Sequence, residues 1–240
     1  MFRAEANGRE LHFENAGVIG GNEVFRDKET GSRWQQSSLQ AISGPLKGVH
    51  LELREFLLTT WAEWLRLHPR TLVLKPLPGY AERIPEKNRQ IREALLQRGS
   101  APADARLTDK RLPPKTMILG LTAAGMSKAY PLNSLREVKV INELLGGEPV
   151  VIIHQPGSDT TTAFSRRVNG KILRFKAENE QASELTDVET GSLWDAYGHS
   201  THGRLKGAEF KTLILEPEFW FAWSEFHPGT QIYSAGKGRK

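Results

Sequence analysis

Cysteine is absent from the 240 residues. That excludes disulfides, thiolate metal ligands and a cysteine nucleophile, and leaves His, Asp, Glu, Ser and Lys for any chemistry. Long apolar runs are also missing. Stretches such as residues 149–153 are strand-sized, far short of the roughly 18 to 20 residues that cross a bilayer as a helix, so no membrane span is expected. The opening Met1-Phe2-Arg3-Ala4-Glu5 lacks the apolar core of a signal peptide, and the expectation for the chain as written is a cytoplasmic location. Positive charge is not gathered into a stripe. Of the net +5, three charges fall at Lys237, Arg239 and Lys240, which reads as a basic disordered tail over 234–240, and nucleic acid is not an expected partner. There is no Gly-x-Ser-x-Gly elbow, Walker loop, His-Glu-x-x-His or glycine fingerprint after a strand. Residues 14–23 and 180–184 carry glutamates, but their spacing places no carboxylate pair across a cleft.

What is present is a duplication. Asp27-Lys28-Glu29-Thr30-Gly31-Ser32-Arg33-Trp34 returns as Asp187-Val188-Glu189-Thr190-Gly191-Ser192-Leu193-Trp194, identical at six of eight positions. Gly44-Pro45-Leu46-Lys47-Gly48 returns as Gly203-Arg204-Leu205-Lys206-Gly207, and Trp61-x-x-Trp64-x-x-x-His68-Pro69-x-Thr71 as Trp220-x-x-Trp223-x-x-x-His227-Pro228-x-Thr230. Asn7-Gly8 and Asn169-Gly170 extend the match upstream. Repeats this far apart are duplicated domains rather than solenoid units, whose periods are a few tens of residues.

Each copy is expected to open on a hairpin, because Asn-Gly suits a type I′ turn in which both central residues take positive φ. The Asp-x-x-Thr-Gly-Ser-x-Trp segment predicts a second reversal, with aspartate accepting backbone N–H groups and glycine at positive φ. A turn at Leu-Lys-Gly then leads into an alternating strand at 49–53. Thr59-Thr60 caps a short helix ended near Pro69; in the second copy Glu216-Pro217-Glu218 occupies the helix start. A short strand, 71–74 or 230–233, closes each copy. Residues 75–115 form a Pro-rich connector with one helix at about 85–97. Strands are expected at 117–121, 125–132 and 149–153, with a helix over 133–145.

About 45 residues of strand-rich sequence, 117–163, precede the hairpin of the second copy and have no counterpart ahead of the first. The domains expected are therefore a first lobe, 1–74, lacking front strands; the connector, 75–115; a complete second lobe, 116–233; and the tail. An uncovered sheet edge in the first lobe would invite pairing with another chain, a homo-oligomer among the possibilities.

Arg111-Leu112-Pro113-Pro114-Lys115, Leu119-Gly120-Leu121, Lys128-Ala129-Tyr130-Pro131-Leu132, Gly146-Gly147-x-Pro149-Val150-Val151, the Asp187 to Trp194 motif and Phe219-Trp220-Phe221-Ala222-Trp223 together resemble a prokaryotic family known as domain of unknown function 3179. The resemblance covers most of residues 2–74 and 111–233. It implies an exported or lipid-anchored protein in many members, and commonly a Cys-Pro-Leu-Cys-like segment after the Pro-Val-Val strand. This chain has His154-Gln155-Pro156-Gly157-Ser158 there, so no thiol role carries over, and the resemblance supplies no catalytic residue.

Polar residues shared by both copies are those both folds need. Asp27, Ser32, Trp34, Trp61 and Trp64, with Asp187, Ser192, Trp194, Trp220 and Trp223, therefore read as turn capping and core packing. Polar residues unique to one copy mark where a site would be built. Asp195, His199 and His202 replace Gln35, Gln40 and Ser43; with His227 they form a candidate divalent-metal set, since imidazole and carboxylate suit zinc. The plainer reading is of loop histidines without a third ligand. His68 and His227, each before proline, read as helix C-caps favoured by the dipole. Lys128 beside Tyr130 reads as a surface lysine, because catalytic use would need burial.

The expected fold class is α+β and β-rich: two homologous lobes of short antiparallel strands, each with one Trp-bearing helix, related by a pseudo-twofold. The expected role is non-catalytic, a scaffold or a binding module with its ligand in the groove between lobes, with no cofactor. The alternative is a metal-dependent, hydrolase-like enzyme built on the His/Asp cluster.

Overall fold

The computed structural model describes residues 1–75, 77, 86, 90, 105, 107 and 109–234. Most of the expected connector helix at 85–97 lies outside the described residues, although Glu86 and Gln90 are helical; so does the basic tail from 235 onward. The chain is β-rich and of α+β class.

The first hairpin joins β1 (Glu5–Ala6) to β2 (Arg9–Glu10) through Asn7 and Gly8, with φ of 51° and 75°, as an I′ turn requires. Strands β3 (Phe13–Ile19), β4 (Asn22–Asp27), β5 (Arg33–Gln35) and β6 (Ala41–Ser43) form one antiparallel sheet in that order. Trp34, Leu11, Leu51, Ala6 and Ala41 are buried together at its face, with Phe2, Phe13 and Phe25 packed around them. Helix α1 (Trp61–Leu67) follows, with Thr60 Oγ1 accepting the Glu63 N–H.

The remainder stacks four layers. Strands β7 (Met117–Ala123) and β8 (Met126–Pro131) lead through helix α2 (Leu132–Glu137) to β9 (Val140–Leu145), β10 (Glu148–Gln155) and β11 (Thr160–Ser165). A second Asn-Gly hairpin, β12 (Arg167–Val168) with β13 (Lys171–Ile172), precedes β14 (Phe175–Ala177), β15 (Glu184–Asp187), β16 (Leu193–Asp195) and β17 (Ser200–His202). The chain ends through β18 (Thr212–Leu213), β19 (Leu215–Phe219), α3 (Trp220–Phe226) and β20 (Gln231–Ile232). The sheets are ordered β14-β15-β16-β17, β18-β11-β10-β9 and β19-β7-β8-β20.

Period-2 alternation sorts the strands between layers. Val150 and Ile152 of β10 join Leu119, Leu121 and Ala123 of β7 in the core between the last two sheets. Val151 and Ile153 face the other way, onto Leu185, Trp194 and Phe210. A strand buried on both faces reads as a continuous apolar run, as 150–153 does, and each such Val or Ile contributes about 1.5–3 kcal/mol on burial. On the outer face of β7–β8, Ile118 and Ala129 meet Trp220 and Trp223 of α3.

The sheets β3–β6 and β14–β17 share order and register. Phe13 pairs with Asp27 as Phe175 does with Asp187, and both sheets shift register at the residue before Trp34 or Trp194.

Four local expectations are corrected. The helix predicted over 133–145 ends at Glu137, because the β-branched residues Val138, Val140 and Ile141 begin a strand that pairs with β10. The strand predicted at 49–53 reduces to single bridges, Gln40 to His50 and Phe2 to Leu53. Glu216-Pro217-Glu218 is strand rather than helix start; proline is tolerated because β19 is an edge strand. Residues 71–74 form no strand, whereas their counterparts include β20.

Candidate binding groove

The residues shared by the copies build the same small machine twice. Asp27 Oδ1 accepts the Thr30 N–H at 2.5 Å and its Oδ2 accepts the Trp34 Nε1–H at 2.8 Å; Asp187 does the same with Thr190 at 2.5 Å and Trp194 at 3.0 Å. Ser32 Oγ accepts from the Leu46 N–H, and Ser192 Oγ from that of Leu205. Gly44 and Gly203 lie so close that a Cβ would come within 2.6 and 2.8 Å of the Ser32 and Ser192 Cα atoms. A buried indole thus gains its N–H partner from the turn, and the turn aspartate is fully engaged. Burial opposes ionisation of Asp27, but its hydrogen bonds outweigh that and hold its carboxyl below the usual range. Each of these side chains is engaged within its own turn.

The paired helices also share internal bonds. Trp64 Nε1 donates to Thr71 Oγ1 at 2.8 Å, and Trp223 Nε1 to Thr230 Oγ1 at 2.9 Å. The backbone N–H of His68 and of His227 closes the last turn on the carbonyl of its tryptophan. The His227 ring stacks on Trp223 at 3.6 Å, and burial pushes its pKa down, so it is a neutral C-cap.

His227 is therefore committed to α3. Asp195 accepts the backbone N–H groups of Tyr197 and His199, and its Oδ2 lies 3.1 Å from His199 Nδ1 on an exposed loop. His202 is exposed and contacts Thr201. Among the described residues no three His, Asp or Glu side chains come together as a metal set. The structure does not assemble the expected cluster of Asp195, His199, His202 and His227, because Asp195 and His199 cap a turn while His227 caps a helix elsewhere.

A cavity of about 710 Å³ opens instead where the segment before α1 crosses the later sheets. Phe56, Leu57, Leu58 and Trp64 form one wall; Met117, Leu119, Leu132, Leu213, Leu215 and Pro217 form the other; Asp159, Thr161 and Tyr197 supply polar groups. The two walls are joined at the rim. Thr59 Oγ1 lies 2.7 Å from Thr160 Oγ1, and the Tyr197 hydroxyl donates to Glu63. The Arg66 guanidinium and Tyr197 hold the Glu63 carboxyl down at about 2.

Beside the groove, Arg136 makes a two-bond pair with Asp159 at 3.0 and 2.7 Å. His154 is 1% exposed; its Nδ1 lies 3.0 Å from Thr161 Oγ1, while its Nε2 has no hydrogen-bond partner and sits 3.7 Å from Asp159. Burial lowers the His154 pKa against the pull of Asp159, so the ring is neutral. On the opposite face of β19, Glu216 and Glu218 point toward the first sheet, where Ser37 Oγ donates to Glu218 at 2.8 Å. Burial raises Glu216 to about 7 and Glu218 to about 6.

None of His154, Asp159, Tyr197, Glu216 or Glu218 was a candidate site residue in the sequence. Alternation along β10 places His154 on the same face as Val150 and Ile152, a signal that could have found it; Tyr197 and Asp159 needed the chain crossing. Lys128, expected at the surface, is largely covered and bonds Glu143, which also accepts from buried Tyr130.

Fold and groove define a β-rich α+β protein with a largely apolar cavity walled by residues from both halves of the chain. The chain belongs to the family described as protein of unknown function DUF3179, whose model matches residues 1–230, as its motifs implied. No curated protein and no solved structure matches it.

Proposed function

We propose that the chain is a non-catalytic binding protein of two homologous lobes, 1–74 and 116–233, packed about a pseudo-twofold, which holds an apolar or amphipathic small molecule in the groove between them. The carrying observation is that cavity of about 710 Å³, whose walls come from residues 56–64 and from 117–217. Its volume falls in the range of small-molecule pockets, which combine apolar walls with a few polar groups; here Asp159, Thr161 and Tyr197 would orient a polar end. The duplication supports the lobes through matched turns, bulges and Trp–Thr bonds.

Titration with 1-anilinonaphthalene-8-sulfonate, followed by displacement with a medium-chain carboxylic acid, tests the groove. Saturable, one-site dye uptake that is lost in Leu57→Arg, which places a charge in the wall without touching the layered core, is the expected result. Uptake that is absent, or unchanged in that variant, would refute the groove as a ligand site.

A further inference from the structure

The two copies correspond in backbone but not in charge. In the first the Arg3 N–H donates to the Glu52 carbonyl, and in the second the Ser165 N–H donates to the Lys211 carbonyl. Strand β1 opens on Glu5 where β12 opens on Arg167. The turn at 44–48 holds Pro45 and Lys47 where the turn at 203–207 holds Arg204 and Lys206. In the first copy the carboxylates are neutralised: Glu5 and Glu52 both pair with Arg3, and Glu52 also pairs with Arg54. In the second copy Arg167 and Lys211 stand in their places.

Arg167, Arg204, Lys206 and Lys211 line one polar cavity of about 480 Å³, together with Asn169 and Glu209. It shares no lining residue with the apolar groove. Arg167 is partly engaged, with Nε 3.5 Å from Glu148 and Nη2 donating to the Gly147 carbonyl at 3.4 Å. Arg204, Lys206 and Lys211 have no ion-pair partner among the described residues. Like charges around a concavity repel one another and focus a positive potential there, which a bound anion relieves. The rest of the chain is poorly suited to supply that anion, since the residues outside the described set carry nine Lys and Arg against three Asp and Glu.

We propose that this cavity, built only in the second copy, binds a compact polyanion of the phosphoanhydride class, a di- or triphosphate. The class follows from the number and kind of charges. Four cations against one carboxylate, Glu209, leave more positive charge than a single phosphate group neutralises. The guanidinium forks of Arg167 and Arg204 suit bidentate contact with phosphate oxygens, while Lys206 and Lys211 act as point charges. Among the described residues no aromatic ring lines the cavity, so it has no platform of the kind on which single-stranded nucleic acids stack their bases. Recognition is therefore of the phosphates themselves, free or carried on a larger small molecule. The site goes beyond the groove and does not depend on its ligand.

The test titrates the full chain with tripolyphosphate by calorimetry at low and raised salt. Saturable one-site binding is expected, weakening as salt screens the exposed cations. Arg167→Glu and Lys211→Glu, which install the first copy's residues, should each weaken it at least about tenfold; Lys47→Glu, in the first copy, should change it less than about twofold. All three positions are exposed, so unchanged urea midpoints would exclude misfolding as the cause. No saturable binding, or equal losses in Lys47→Glu and Lys211→Glu, overturns the site. Orthophosphate or citrate binding as tightly as tripolyphosphate overturns the phosphoanhydride class. A nucleoside triphosphate should bind no more tightly than tripolyphosphate, and a marked gain would overturn recognition by phosphate alone. Heparin retention that Lys211→Glu abolishes, without tripolyphosphate binding, would overturn the proposal by assigning the surface to a polymer. Leu57→Arg, which disrupts the groove, should leave tripolyphosphate binding unchanged, so that failure of either site is read separately from failure of the other.

Discussion

Helices α1 and α3 are a natural experiment in which local sequence is held nearly constant and the neighbour is changed. Both run seven residues, both end on a histidine whose N–H bonds a tryptophan carbonyl, and both tie the second tryptophan to a threonine seven residues on. Yet α1 has no buried residue while α3 buries Trp220, Phe221, Ala222, Trp223 and Ser224. Short-range sequence therefore determines conformation and capping, whereas burial depends on whether a hairpin lies against the helix. The turn modules at Asp27 and Asp187 make the opposite point: every partner is within a few tens of residues, and the two copies share the aspartate bonds to the threonine N–H and the indole and the serine bond to the leucine N–H.

The largest expected effect is at the contact that distinguishes the helices. Gly120→Val, which drives a side chain into the Trp223 ring, and Trp223→Ala, which opens a cavity, should each destabilise by about 3–5 kcal/mol in urea denaturation. Trp61→Ala should cost less than about 0.5 kcal/mol, as exposed positions do; a large loss there would break the comparison. Next, Asp27→Ala and Asp187→Ala should each cost about 2–4 kcal/mol, since each strands a buried indole N–H and a turn amide, and the two should match. A marked inequality would show that the modules are not equivalent.

The interface between the first sheet and β19 should be pH-dependent. The folded carboxyls of Glu216 and Glu218, raised mainly by burial to about 7 and about 6 from 4.5, keep protons that the unfolded chain has released. Stability is therefore unpenalised below about pH 4.5 as far as these two groups are concerned. It should fall as pH rises through the window up to about 7, by on the order of a few kcal/mol. Facing groups temper the shift: the Ser37 hydroxyl lowers Glu218, and the amino terminus lowers Glu216. Denaturation midpoints measured from pH 4.5 to 8 should flatten in Glu216→Gln/Glu218→Gln; an unchanged slope would remove these carboxyls as the cause. The smallest effect is at the caps. Thr60→Ala should cost about 1 kcal/mol or less, while α3, capped by Phe219 without a side-chain bond, has no equivalent to lose.

Much of this was legible in the chain. Asn-Gly announced both hairpins, Asp-x-x-Thr-Gly-Ser-x-Trp announced both turns, and the apolar run at 149–153 announced a strand. The errors have one origin. Residues 138–145 carry apolar positions that suit a helix and a strand alike, and pairing with β10 decided between them. Pro217 suggested a helix start, but an edge strand tolerates proline equally well. The metal set failed because Asp195 and His227 had local duties as caps, which spacing does not reveal. The residues that line the cavity were not foreseen, because Leu57, Leu119 and Tyr197 are brought together only by the chain's crossing.

By itself the sequence determined what residues within a few positions can impose on one another: turns with positive φ, caps, the tryptophan tethers and the family to which they belong. Only the tertiary structure decided which apolar faces are covered, that β19 would place Glu216 and Glu218 against the first sheet, and that a cavity would open beside His154. Hydrogen bonds in a turn close over a few atoms and so are encoded locally. Burial and desolvation depend on surfaces supplied by distant segments, and these exist only once the layers have packed.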